Sequence, residues 1–380
     1  MNLSFEVYKH VDDLPKNWYA FADKKKCMQA MNLGVQDRSG IPNLENFYLM
    51  ASHQNEIVFI AYYQLLHVKP IHFNLGEKKF QQFWLDMALK IVKPTLLVAG
   101  NLFRHDIVLF EFSDSTFSTE IKSKLYIDSL NFMIDYTNAS GIFLKDVPKE
   151  IAGGVALDKS YLPMQDDISM EINIPNTWHH FEDYEKELKH KYLQRCKKIK
   201  KSFVGVKVRE LNEQEIFDFR QEIFSLYEQV THKQIVSMGK LNEDFFMELK
   251  RGLKENYRMC GFFLDDKMIA FSSAILHDGE YDMNYIGIDY AYNSSHQLYF
   301  NILFHCLESA IASGSEKLIL GRTAIEAKAI VGCTPDYRFS FYKLRNVIVN
   351  WFYQRVSKYF SESQGDHWKE RHPFKSTYYS

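Results

Sequence analysis

Residues 317–335 read KLILGRTAIEAKAIVGCTP, and the fold is decided by how that stretch is read. KLIL (317–320) has strand composition, Gly321 stops it, and Arg322 follows. Thr323-x-x-Glu326 has the form of a capping box, in which the hydroxyl takes an orphan helix amide and the carboxylate reaches back to the cap. Ala324, Ala327 and Ala329 favour helix, Gly332 suits the residue just past a helix end, and Pro335 lies beyond it. The stretch therefore predicts strand, turn and short helix, with Arg322 at the carboxyl end of the strand, where α/β arrangements hold their ligands. Capping gives Glu326 a structural task. Arg322 and Lys328 remain as candidates to hold an anionic group; the plainer readings are a local ion pair for Arg322 and a solvent-exposed Lys328.

Upstream of this unit, YRMCGFFLDDKMIAFSSAIL (257–276) reads as two strands folded about Asp265-Asp266, and EYDMNYIGIDY (280–290) as a further strand. LYFNILFHCLESAIASG (298–314) is an apolar helix ending in Ser-Gly. The first half has the same order. NFYLMASHQNEIVFIAYYQLLHVKP (46–70) folds about Gln54-Asn55, EIKSKLYIDSLNFMIDYTNASG (120–141) has helical spacing and again ends in Ser-Gly, and strand-like IFLKD (142–146) follows. Hairpin, helix, Ser-Gly and strand thus occur twice, as in a duplicated domain. Between the halves, LPMQDDISMEINIPNTWHHFEDYEKEL (162–188) reads as a linker or a strand crossing between domains, and the cut falls near Pro175.

Within FEDYEKELKHKYLQRCKKIKKSF (181–203), Tyr184, Leu188, Tyr192, Cys196, Ile199 and Phe203 repeat at steps of three and four, one face of a single helix. Lys189, Lys191, Arg195, Lys197, Lys198, Lys200 and Lys201 crowd its second half, and acidic residues fill its start, as the helix dipole prefers. Such a helix is either a solvated face or a contact for a polyanion: a phosphate-bearing cofactor, a nucleotide-linked substrate or a tRNA backbone.

The 380 residues exceed one ordinary core, and two domains are expected. A net charge of −2 does not announce a DNA-binding or membrane-coating protein. Five cysteines at 27, 196, 260, 306 and 333 have no paired spacing, which argues against a disulfide framework or a metal site and fits a reducing compartment. The N-terminal residues carry charges every few positions and lack the apolar core of a signal peptide, and no stretch has transmembrane length. A cytoplasmic location is expected. RNVIVNWFYQRVSKYF (345–360) reads as a basic, aromatic amphipathic helix that docks on its own domain, a partner or a membrane surface.

Taken in order, DYEKELKHKYLQRCKK, GFFLDDKMIAFSSAIL, YIGIDYAYNSSHQLYFNILFHCLESAIASGSEKLIL and GRTAIEAKAIVG resemble the Fem-like branch of the GNAT acyltransferase superfamily, which includes peptidoglycan biosynthesis or recognition proteins. The resemblance covers roughly residues 180–335. It implies an α+β fold of two tandem GNAT-like domains, each a mixed, mostly antiparallel sheet flanked by helices. The domains would be 1–174, a degenerate copy, and 175–345, followed by a helix and tail at 346–380. It also implies transfer of an acyl or aminoacyl group to an amine, with acyl-CoA as the cofactor, a small-molecule donor and amine acceptor as partners, tRNA as an alternative donor carrier, and no metal. A tandem GNAT-like protein that binds a ligand without catalysis is the other reading. Ordinary members of the superfamily cradle the CoA pyrophosphate on a glycine-rich loop; here YNSSHQLYF (292–300) has no glycine.

On this resemblance Ser295, His296 and Gln297 would stand at the cofactor, and Arg322, Lys328, Lys191, Arg195 and Tyr299 would bind substrate. Acyl transfer needs a base and a group that protonates the leaving atom. Tyr285 is the candidate acid and Asp289 the candidate base, against plainer roles as a packed aromatic and a turn former. Strand alternation puts Asp282 on the face opposite Tyr285. His179-His180 read as linker surface.

Overall fold

The structure, a computed structural model, describes residues 3–23, 30–104, 107–114, 116–164, 168–233, 237–346 and 369–378. The amphipathic stretch expected from residue 345 onward lies almost wholly outside them. Along the chain come β1 (Ser4–Tyr8), α1 (Lys16–Ala22), α2 (Ala30–Ser39), β2 (Leu44–His53), β3 (Glu56–His67), α3 (Lys79–Val92), β4 (Thr95–Ala99), β5 (Phe110–Phe112), α4 (Thr119–Thr137), β6 (Gly141–Val147), α5 (Lys149–Leu157) and β7 (Leu162–Met164). The second half holds β8 (Ile168–Asn173), α6 (Phe181–Glu187), α7 (His190–Lys201), β9 (Lys207–Glu210), α8 (Glu213–Asp218), α9 (Arg220–Thr231), α10 (Phe245–Leu253), β10 (Tyr257–Leu264), β11 (Lys267–His277) and β12 (Glu280–Ile288). It ends with α11 (Tyr290–His296), α12 (Leu298–Ala312), β13 (Lys317–Gly321), α13 (Ile325–Val331), β14 (Thr334–Tyr337) and β15 (Phe339–Leu344).

The duplication is visible in the sheets. The first runs β1-β2-β3-β4-β6-β15-β7, and the second, read from its matching edge, runs β9-β10-β11-β12-β13-β8-β14. Both are antiparallel except at one place, β4 with β6 and β12 with β13. The hairpins form where expected: Gln54-Asn55 and Asp265-Asp266 both have positive φ, the twist that two-residue hairpin turns require. This is the mixed, helix-flanked, tandem architecture anticipated above.

Each sheet also takes a strand from the other half of the chain. β8 follows the first repeat yet pairs with β13 and β14, while β15 follows the second repeat and pairs with β6 and β7. The two compact units are therefore discontinuous: Met1–Asp167, Gln234–Phe245 and Arg338–Asp366 form one, and Ile168–Lys233, Phe246–Tyr337 and His367–Ser380 the other. A single cut near Pro175 does not describe this division, because 168–173 is a strand laddered onto β13 rather than a linker.

In the second unit α12 buries Leu298, Ile302, Leu303, Phe304, Cys306, Leu307, Ala310 and Ile311. Each large apolar side chain so buried contributes about 1.5–3 kcal/mol. The stripe of 181–203 is likewise buried at Tyr184, Leu188, Cys196 and Ile199. It is carried by two helices, however, because Leu188 leaves helical geometry (ψ 139°) and bridges to Phe374.

Candidate functional site

The geometry of the second unit turns on its one parallel strand pair. β12 and β13 are in register only from Glu280–Lys317 to Asp282–Ile319. Beyond that β12 runs on to Ile288 with no further pairing to β13. Past the last paired residues, a cleft of about 370 Å³ is lined by Ile288, Tyr290, Asn293, Ser294, Gln297, Tyr299, Phe300 and Ala324. Its walls are the α11–α12 junction and the turn after β13.

A bulge re-aims β12 at this point. Ser272 faces Ile286 and Ala274 faces Met283, so Ser273 alone opposes Asn284 and Tyr285. The Ser273 hydroxyl fills the gap, accepting from the Tyr285 N–H (3.0 Å) and donating to the Tyr285 carbonyl (3.2 Å). The extra residue shifts the alternation, and Asp282 comes to act on the Tyr285 phenol from the same face. The expectation of opposite faces is thereby corrected. Tyr285 packs edge-on against Tyr227 and Phe246, and burial pushes its phenol far above the ordinary tyrosine range. Asp289 accepts from the Ala291 N–H (3.1 Å) as the N-cap of α11 and pairs with Lys267 (2.9 Å). Asp289→Asn keeps the capping oxygen. On the capping role it leaves any transfer rate within about twofold of wild type, whereas a general base lost there lowers the rate a hundredfold or more, which steady-state kinetics distinguishes.

Ser295, His296 and Gln297 do not form an open phosphate loop. Ser295 and His296 end α11, and the loop shrinks to Gln297 in the left-handed region (φ 47°). The Tyr299 N–H, an amide at the start of α12, already donates to the Asn293 side chain (3.1 Å). Asn301, which the sequence reading passed over, holds the junction together: its amide donates to the carbonyls of Ile199 (3.2 Å), His296 (2.9 Å) and Gln297 (3.3 Å). The available signal was one asparagine inside an otherwise apolar helical run.

α7 sets the Arg195 guanidinium 5.2 Å from the centre of the ring of Phe300, one of the cleft-lining residues. Lys191, Lys197, Lys198 and Lys201 are exposed. Lys200 lies over Phe181 (3.8 Å) and Lys189 donates to the His372 carbonyl (2.9 Å).

The largest departures from expectation are in α13. Its N-cap is Ala324, in the left-handed region (φ 54°), and no side chain caps it; the Thr323–Glu326 box does not form. Glu326 is exposed and accepts a long 3.5 Å bond from the Lys369 N–H. Arg322 is half-buried at the end of β13. Lys328, for which a solvent-exposed side chain is the plainer of two readings, is 1% exposed, and its ammonium donates to the Gly321 carbonyl at 3.0 Å. Burial lowers its pKa to about 7, opposed by the nearby Cys333 thiol. Cys333, itself pushed up to about 12 by burial, also acts on the Tyr299 phenol. Cys333 thus links the buried Lys328 electrostatically to the half-buried Tyr299, which lines the cleft. Among the described residues no set of three or more His, Cys, Asp or Glu side chains converges as a metal site would require.

Residues 194–329 match the acetyltransferase (GNAT) domain. No curated protein sequence matches the chain. Among solved structures the fold is similar to FemX (9% identity, TM-score 0.55, covering 94% of this chain and 100% of that one). It is similar also to a tandem GNAT protein from the clavulanic acid biosynthesis pathway (9% identity, TM-score 0.52, 90% and 98%). A third likeness is to L-PGS from Bacillus licheniformis (10% identity, TM-score 0.50, 93% and 98%). The domain match bears out the likeness to the GNAT superfamily, and the fold as a whole is similar to that of FemX and of a tandem GNAT protein.

Proposed function

We propose that the second unit is an N-acyltransferase, moving an acyl or aminoacyl group from an activated carrier to an amine, with a cell-envelope precursor as the acceptor class. The observation that carries this reading is Lys328, a lysine of pKa about 7 buried on the short helix that follows Ala324, a residue of the cleft wall, with its ammonium on the carbonyl at the end of β13. A buried cation is costly to fold, and such groups gather where chemistry uses them. In amide formation the carbonyl oxygen gains negative charge and the leaving sulfur or oxygen takes a proton. An ammonium of near-neutral pKa suits both tasks. Tyr299 lines the cleft, and Arg195 and Arg322 are the side chains we assign to the carrier's anionic part.

The capped Tyr299 amide and the glycine-free junction disfavour a pyrophosphate held on backbone N–H groups. A carrier gripped by the α7 cations fits better, which keeps aminoacyl-tRNA beside acyl-CoA as a donor; the acetyltransferase (GNAT) domain match supports testing the thioester first. The same junction favours a second reading, a protein that binds such a ligand without turning it over.

Calorimetric titration with acetyl-CoA, a longer acyl-CoA and charged tRNA, followed by mass-spectrometric search for an amide product, tests both. Saturable binding to one donor is expected, weakened roughly tenfold in Arg195→Ala at low salt. Ser294→Trp, which fills the cleft from an exposed position, is expected to abolish it. Absence of binding to all three donors sinks the proposal, and binding without product under a panel of amines favours the second reading.

A further inference from the structure

α3 wears its apolar face on the outside. At 100° per residue, Phe80, Phe83, Trp84, Met87 and Ile91 share an arc of about 100°. All five are exposed, Phe80 by 73% and Ile91 by 74%. On the opposite side Gln82, Leu85, Asp86 and Leu89 are half-buried, so the helix rests on its own unit by a mixed polar and aliphatic face. Phe80 and Phe83 each meet Trp84 edge-on, at 6.1 and 5.8 Å, making one aromatic ridge, and Ile71, 62% exposed in the preceding turn, adds to the patch. A patch of this kind on a soluble face marks a binding surface.

The charges say what covers it. Lys79 and Lys90 stand along one edge of the apolar arc, and Lys78 and Lys93 lie at the two ends, all exposed. The acid on the helix, Asp86, is turned to the resting side and bound by Gln82 (2.7 Å). Apolar and aromatic residues outward, with lysines at their rim, match the level at which acyl chains give way to headgroups. With 14 residues the helix is too short to cross a bilayer. The aromatic segment 347–360 of the same chain is a poor occupant, since it carries Arg355 and Lys358 and no acidic residue to meet those lysines. A second copy of the patch would oppose lysine to lysine.

We propose that α3 lies flat on an anionic lipid surface, burying the Phe80–Ile91 ridge among the acyl chains and setting its lysines against phosphate headgroups. The proposal is carried by the first unit alone and does not depend on the transfer reading of the second.

The test is co-sedimentation of the full chain with vesicles of phosphatidylcholine, alone or with phosphatidylglycerol as a third of the lipid. Binding to the anionic vesicles is expected, with added salt weakening it. Phe83→Ser with Trp84→Ser lowers it tenfold or more, and Lys79→Glu with Lys90→Glu by roughly as much at low salt. These side chains are exposed, so circular dichroism of each variant should match wild type. Failure of the wild type to bind anionic vesicles overturns the proposal, as does equal binding by the Ser pair. Loss of binding on deleting 347–360 with α3 intact overturns it too, and so does a dimer that the Ser pair converts to monomer, which would make the occupant a second copy.

Discussion

Lys328→Met is expected to lower amide formation by a factor on the order of 10² to 10⁴ while making the protein harder to unfold. The two effects share a cause. Free lysine has a pKa of 10.5 and Lys328 one of about 7, so between those values the unfolded chain binds the extra proton. Stability of the wild type therefore rises as pH climbs from about 7 towards 10.5, and below about 7 the whole cost of the buried ammonium is present. That cost is on the order of 5 kcal/mol, of which loss of the Gly321 hydrogen bond returns about 1. Urea unfolding at pH 6 should thus find Lys328→Met more stable by about 2–4 kcal/mol, and the pH slope between 7 and 10 flattened. A wild type whose stability is level across that range would contradict the burial, and a variant that is both less stable and still active would contradict the role.

Gly332→Val is expected to destabilise by about 3 kcal/mol or more. Gly332 ends α13 in the left-handed region (φ 117°), which lets its N–H and that of Cys333 close on the carbonyl of Lys328 at 3.1 Å each. A Cβ there would also stand 2.4 Å from the Phe374 ring, which packs with Trp178, Tyr184 and Tyr378. Denaturant unfolding reads the loss. Phe374→Ala in the same chain should recover the steric part but not the backbone strain, a coupling that a double-mutant cycle isolates. Simple additivity of the two would contradict the contact.

The hairpins were legible because their signal is local: Asn55 and Asp265-Asp266 are residue types that accept positive φ, flanked by β-rich runs. The apolar stripe through Cys196 and Ile199 and the buried face of α12 were legible for the same reason. The exchange of β8 and β15 was not, since a strand's sequence carries its alternation and not the identity of a partner roughly 150 to 200 residues away. Nor was the bulge opposite Ser273, which reversed the side on which Tyr285 stands relative to Asp282. At Lys328 the alanines around it read as a generic exposed helix. Its neighbours at three residues on either side, Ile325 and Val331, were the hint that it lies on the apolar face. The Thr323–Glu326 pattern misled because a strand entering on the left-handed Ala324 leaves the threonine outside the helix start.

The central claim is that Lys328 answers to a ligand in the cleft of the second unit. Calorimetry of donor binding in buffers of different ionisation enthalpy tests it most directly, because an anionic donor raises the pKa of a lysine it approaches. The wild type should take up about half a proton per donor bound at pH 7 and nearer one at pH 8, and Lys328→Met none. Donor binding with the same proton uptake in both proteins would contradict the claim.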